Sequence, residues 1–278
     1  MRRLVTVAAL VVLAAGAGTA RAAVLTCGSV ITSPGIYQLT SDLNCSSLTS
    51  SGIGLQVLTD AAVTISFNGH TINGPGASTL TVGIDAEAPD VTLLNGVIRG
   101  FGTGVHAAEN RVTTDNMRVA KNGEGLFGDL DVFFTIRHSY INENSDIGIR
   151  DTMMPIYISD SQVLRNGGNG IDAHESAVIA DRNVISGNGG YGILNDEWGV
   201  VLTGNQVNYN ARDGISIGGN PFPDSYTIVN NTMIGNGGHG IDYEPQQGFA
   251  EHPLQSEGNI ARDNRTNPQC VNIFCRTS

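Results

Sequence analysis

The sequence contains a single lysine, Lys121, and 15 basic residues in all against 26 acidic ones. A formal net charge of −11 excludes nucleic acid and anionic membrane surfaces as fitting partners, because both are repelled by such a field. Cysteine is sparse, at Cys27, Cys45, Cys270 and Cys275, and the lone tryptophan is Trp198. The histidines, His70, His106, His138, His174, His239 and His252, show no close metal-ligand spacing. No Asp-Asp pair occurs. No apolar run reaches membrane length either. The longest, Leu4 to Ala15, is short, alanine-rich and preceded by Arg2 and Arg3. With the small-x-small pattern Ala20-Arg21-Ala22 it reads as an export signal over residues 1–22. The expected mature protein is secreted or periplasmic, with no membrane insertion after cleavage. It is more acidic still, since the leader takes away Arg2, Arg3 and Arg21 and no acid.

What the chain does have is a repeat. A glycine followed by a residue that is mostly Ile recurs as Gly83-Ile84, Gly104-Val105, Gly125-Leu126, Gly148-Ile149, Gly170-Ile171, Gly192-Ile193, Gly214-Ile215 and Gly240-Ile241. Nine residues before each glycine from Gly104 onward stands a small polar residue: Asn95, Asn116, Ser139, Ser161, Asn183, Asn205 and Asn231. An apolar residue follows two positions later, with Arg118 as the exception, and Asn144, Asn166, Asn188, Asn210 and Asn236 align four before the glycine. Segments such as Val200-Val201-Leu202 are too short for amphipathic helices and too rich in Gly and Asn nearby, so they read as strands. A unit of this kind cannot bury its own apolar face but can bury it against neighbours.

The expected fold is therefore all-β: a single-stranded right-handed parallel β-helix, a solenoid with coils of about 22 residues. Isoleucine should stack over isoleucine inside, asparagine should pass amide hydrogen bonds from coil to coil, and Gly and Asn should supply left-handed backbone at the corners. The expected division is signal 1–22, an N-terminal cap with a disulfide at 23–51, the β-helix at 52–264 and a disulfide-closed tail at 265–278. Cys27–Cys45 and Cys270–Cys275 are the expected bonds, one at each end, where a terminal coil lacks a neighbour. Over about Gly52 to Asn264 the chain resembles the right-handed β-helix superfamily of pectin and alginate enzymes, and also β-helix proteins that bind sugars, process metals or act as surface adhesins. The fold alone does not choose among these.

If the residue after each glycine points inward, the next points outward. The outward columns then read Asp85, His106, Phe127, Arg150, Asp172, Leu194, Ser216, Asp242 and, two positions on, Glu87, Ala108, Asp129, Thr152, His174, Asp196, Gly218, Glu244. Coils lie ~4.8 Å apart, so Arg150, Asp172, His174 and Asp196 should gather on one face, with Glu175, Glu197, Trp198 and Tyr191 at its margin. The stretch Gly170-Ile171-Asp172-Ala173-His174-Glu175 resembles the Asp-Pro-His-Glu/Asp motif of mannuronan C5-epimerases. Ala173 replaces the motif's proline, and Asn169 stands where the family has its catalytic tyrosine. Tyr191 holds that position one coil later. Gly238-His239-Gly240 resembles an element of polygalacturonases, whose Asn-Thr-Asp and Asp-Asp elements are missing.

The resemblance implies C5-epimerase or β-eliminating lyase chemistry on a uronate-containing polysaccharide. Such chemistry removes a proton α to a carboxylate, which becomes acidic only when the carboxylate charge is offset. Arg150 is placed to offset it, His174 to carry the proton, and Asp172 and Tyr191 complete the expected catalytic set. Glu175, Asp196, Glu197, Trp198 and His106 are the expected substrate contacts, Trp198 by stacking on a sugar ring. No cofactor is required, and clustered carboxylates leave room for calcium. A non-catalytic sugar-binding or structural surface protein is the alternative, and a glycoside hydrolase using Asp172 and Asp196 a further one.

Overall fold

The computed structural model describes residues 24–49, 51–218, 226–244 and 254–277. The expected leader lies outside them. Among the described residues no helix is long and apolar enough to cross a membrane.

The chain is a stack of parallel coils. One sheet has eleven strands, running from Ser29–Ile31 through Val82–Ala86, Glu124–Asp129, Ile149–Thr152, Ile171–His174 and Ile193–Asn195 to Cys270–Val271, each paired with the strand one coil away. The remaining strands close the other sides of the solenoid. Pairing starts at Ser29 against Leu55 and ends at Val271 against Asp242. Coils thus extend into both segments expected as a cap and a tail. The two disulfides are formed as expected, with Cα–Cα distances of 5.4 Å for Cys27–Cys45 and 6.2 Å for Cys270–Cys275.

Register explains the core. Ile149, Ile171, Ile193, Ile215 and Ile241 are consecutive partners in the first sheet, and all are fully buried. Each adds roughly 1.5–3 kcal/mol of apolar burial, available only because the neighbouring coil covers it. Two asparagine ladders carry the polar interior. In one, the side-chain oxygens of Asn144, Asn166, Asn188, Asn210 and Asn236 each accept the backbone N–H and the Nδ2 of the asparagine one coil before. It begins at Asn122 and ends on Asn264, capped by Gln269 Oε1. The other links Ser161, Asn183, Asn205, Asn231 and Asn259. Burying these amides is tolerated because both ends of each are hydrogen-bonded.

Two expectations are corrected. Asn95 and Asn116 lie outside the second ladder: Met117 pairs with Gly96, and its backbone N–H, not that of Asn116, donates to Ser139 Oγ. Coils from Gly148 onward hold one more residue between the ladder asparagine and the glycine, so counting back from the glycine slips the earlier coils by one. The same slip made Arg118 look exceptional, whereas Val119 is the partner of Ile141. Glycine and asparagine do supply left-handed corners, at Gly187, Gly204, Gly235 and Gly258 and at Asn95 and Asn116, but the repeat glycines have a different role. A Cβ on Gly170 would meet the Gly192 carbonyl oxygen at 2.6 Å and Asn188 Nδ2 at 2.8 Å, so glycine is required by close approach. The left-handed residue before a ladder member is Gly187, Gly204, Gly235 or Gly258 in some coils and Lys121, Glu143, Arg165, Arg182 or Tyr209 in others, the latter with φ between 52° and 59°.

Candidate functional site

The outward face of the eleven-stranded sheet holds the expected site residues. Phe127, Arg150 and Asp172 are register partners on three consecutive strands. His174 pairs with Thr152 two positions further along. Its Nδ1 contacts Asp196 Oδ2 on the next coil, and the other oxygen of Asp196 accepts the Glu175 backbone N–H at 3.2 Å. Asp196 is thus engaged at both oxygens and fixes the imidazole with Nδ1 toward itself, leaving Nε2 free of that contact. The His174 side chain is 56% exposed.

Arg150 leans away from Asp172. Its Nη2 lies 2.8 Å from Glu124 Oε1, and its guanidinium sits 5.6 Å from the centre of the Phe127 ring. Asp172 is instead held by Asn169, whose Nδ2 donates to Oδ2 at 2.9 Å. Asn169 Oδ1 accepts the Tyr191 backbone N–H. Tyr191 therefore aligns with Asn169, five residues before His174, which at ~3.3 Å per residue is roughly 16 Å along the strand direction. Its ring carries Arg212, 5.2 Å from the centroid, with Nη1 3.4 Å from the hydroxyl. The structure brings Arg150 beside Asp172 and His174 onto Asp196; it does not bring Tyr191 to His174. Trp198 is exposed and Glu197 half-buried at the margin. His106 sits two strands from Arg150, its Nδ1 2.8 Å from Asp85 Oδ1, tilted against Phe127 at 5.6 Å.

A family model described as the right-handed β-helix region matches residues 82–248 and 151–277. The chain belongs to this right-handed β-helix family. Among solved structures it is similar to the periplasmic alginate epimerase AlgG, at 17% identity and a TM-score of 0.62, over 90% of this chain and 70% of that one. It is also similar to the A-module of the Azotobacter vinelandii mannuronan C-5 epimerase AlgE4, at 19% identity and a TM-score of 0.48, over 85% and 72% of the two chains. At these identities the likeness is one of fold. No curated protein sequence matches the chain.

Within this β-helix the site's charges are tuned by burial and pairing. Burial pushes the Asp172 carboxyl up, against the opposing effects of the Asn169 hydrogen bond and of Arg150. Burial likewise raises Glu124, with Arg150 pulling it down and Asp146 and Asp172 adding to the rise. The hydrogen bond to Asp196 raises His174, and that to Asp85 raises His106. Both imidazoles therefore hold a proton to higher pH than free histidine. Among the described residues no group of three or more histidine, cysteine or carboxylate side chains is arranged to hold a metal ion.

Two carboxylates escaped the sequence reading. Glu124 precedes its repeat glycine, in the column of Asn169 and Tyr191, outside the outward columns that follow the glycine. Asp151 points inward between Arg150 and Thr152 and is fully buried. Its signal was present: the same inward column reads Ala86, Ala107, Gly128 and Ala173 in neighbouring coils.

Proposed function

We propose that the protein is an exported, carbohydrate-active β-helix protein that lays a polysaccharide across its eleven-stranded sheet and removes the C5 proton of a uronate unit, giving epimerisation or β-elimination. The observation that carries this reading is the His174–Asp196 pair beside Arg150 and Asp172. Asp196 fixes the tautomer and leaves Nε2 as the proton-transfer atom. The elevated pKa makes His174 an acceptor only toward neutral to alkaline pH. Arg150 has one contact to Glu124, and its remaining N–H groups have no protein acceptor among the described residues, so they are available to a sugar carboxylate. Asp172, whose proton is retained more readily through burial, lies two residues from His174 on the same strand and is the second proton-carrying group of this reading; Tyr191 aligns with Asn169, further along the strand. Trp198 supplies an apolar surface for a neighbouring sugar. The fold is shared with an alginate epimerase, and the two disulfides suit an oxidising compartment outside the cytoplasm.

The test is proton exchange. Uronate polymers incubated with the protein in deuterated water are followed by proton NMR at C5 and by ultraviolet absorbance of an unsaturated product. His174→Ala and Arg150→Ala are expected to lose turnover with the fold intact, and Arg150→Lys to recover little, because an ammonium cannot hold a carboxylate bidentately. Wild-type protein that binds such polymers but never exchanges the proton would overturn the reaction. The openness of His174 favours one second reading, a face that binds sugar without turning it over.

A further inference from the structure

Arg150 lies between two acids. Glu124, on the preceding strand of the sheet, makes the 2.8 Å contact, and Asp172, its register partner on the following strand, flanks the other side. The Glu124 side chain is only 18% exposed and that of Arg150 33%, so the pair sits where charge–charge forces are weakly screened. Phe127, under the guanidinium, keeps Arg150 in place by a contact that does not depend on Glu124.

We propose that Glu124 is a specificity-determining counter-ion: it shares Arg150 on the unliganded face, so an anionic sugar must contend with its charge at the guanidinium while an uncharged sugar binds without regard to it. This rests on the reading that a glycan lies across this face, and it adds which glycans the face admits.

Two opposing effects decide the sign. Glu124 orders the Arg150 side chain, which helps any ligand of that guanidinium, since less rotamer freedom remains to be lost on binding. Glu124 also places a full negative charge one guanidinium away from an arriving carboxylate. At partly buried distances of a few ångströms the attraction to Arg150 and the repulsion from Glu124 are of the same order. The ordering benefit is largely duplicated by Phe127, so the repulsion wins. Neutralising Glu124 leaves the guanidinium in position and frees its charge. Acidification acts in the same direction, because burial already biases Glu124 toward its neutral form. The charged groups acting on it are Arg150, which opposes protonation, and Asp146 and Asp172, which favour it.

The experiment compares binding of a uronate oligosaccharide and of an uncharged glucan oligosaccharide by calorimetry at low salt and neutral pH. Glu124→Gln keeps shape and removes charge. It is expected to tighten uronate binding roughly tenfold, as the loss of a nearby like charge implies, and to leave glucan binding unchanged. In an Arg150→Gln background the same substitution should have a clearly smaller effect, because only direct repulsion remains and the competition for the guanidinium is gone. Melting curves establish that each variant is folded, and Glu124→Ala, expected to tighten in the same direction, guards against an effect peculiar to glutamine. Unchanged or weaker uronate binding by both Glu124 variants overturns the proposal. So does tightening that is undiminished without Arg150, and so does an absence of uronate binding in wild type and Glu124→Gln alike. The two readings fail separately. Tightening without C5 proton exchange removes the reaction and keeps the counter-ion; exchange without tightening does the reverse.

Discussion

Replacing Asp151 with asparagine should remove a pH dependence from the stability of the protein. Asp151 lies on Ile149–Thr152 with its side chain inside the solenoid, fully buried, and neither carboxylate oxygen has a hydrogen-bond partner. Room for it comes from Gly128, where a Cβ would sit 2.5 Å from Asp151 Oδ1. Burial pushes its pKa from 3.8 to about 8, slightly offset by the nearby Thr152 amide, which lies outside hydrogen-bond geometry. The folded state therefore holds a proton that the unfolded chain gives up near pH 4. Stability from this group is fully present below pH 4, falls as pH rises by about 1.4 kcal/mol per unit, and levels off above about pH 8. Between pH 4 and pH 7 the loss is about 4 kcal/mol, an upper bound because local opening or water entry relieves part of it.

Asparagine cannot ionise, so its own burial cost is the same at every pH. The quantity to measure is the difference in melting midpoint between Asp151→Asn and wild type across pH 5 to 8, in which every other titrating group cancels. At about 2–4 °C per kcal/mol for a domain of this size, the variant should gain on the order of 10 °C relative to wild type over that range. Two curves that run parallel across pH 5 to 8 would refute the reasoning, and would mean that the Asp151 carboxylate is solvated or paired when charged.

Two further outcomes follow from the same structure. Asp196→Asn removes the partner that raises His174, so the imidazole should titrate at lower pH, toward ordinary histidine, and the alkaline rise in turnover should move down with it; an NMR titration of the His174 ring protons checks the first and a pH–rate profile the second. Asn205→Ala deletes the oxygen that accepts both the Asn183 backbone N–H and its Nδ2, leaving buried donors unpaired at a cost of roughly 2–4 kcal/mol, which urea denaturation would read.

The fold was legible because stacking imposes one rule on every coil. An inward residue must fit the residue above and below it, so isoleucine and asparagine recur at fixed offsets and the period is visible in a single chain. The frame slipped where that rule is silent, in the coils before Gly148, because loop length at a corner changes without disturbing either sheet. The corners were legible only in part, with Gly187, Gly204 and Gly235 left-handed as expected and the repeat glycines serving another purpose. Close approach of a neighbouring coil's carbonyl is invisible in sequence, whereas left-handed corners tolerate Glu143, Arg165 and Arg182, residues that carry no obvious turn signal. Outward side chains answer to no stacking rule, so their columns were readable but their partners were not. The direction in which Arg150 leans depends on Glu124 and Phe127, and no pattern in the repeat encodes that choice.

The two departures from the repeat meet on one strand. Ile149–Thr152 carries Arg150 outward, into contact with an acid from the preceding strand, and Asp151 inward, where neighbouring coils have alanine or glycine. While Asp151 holds its proton it contributes no charge beneath Arg150, and the guanidinium faces Glu124 and Asp172 alone. Above about pH 8 an additional carboxylate would appear one residue from Arg150, on the side shielded from solvent, and would weaken its hold on any anionic sugar while it destabilises the coil. Toward acid, neutralisation of Glu124 frees Arg150, but protonated His174 can no longer accept a proton. In the proposed function, binding of an anionic glycan and removal of its proton would thus be favoured at opposite ends of the pH range. On the proposed reaction, turnover would require the interval between them, and its upper edge would be set by an acid that does not touch the sugar.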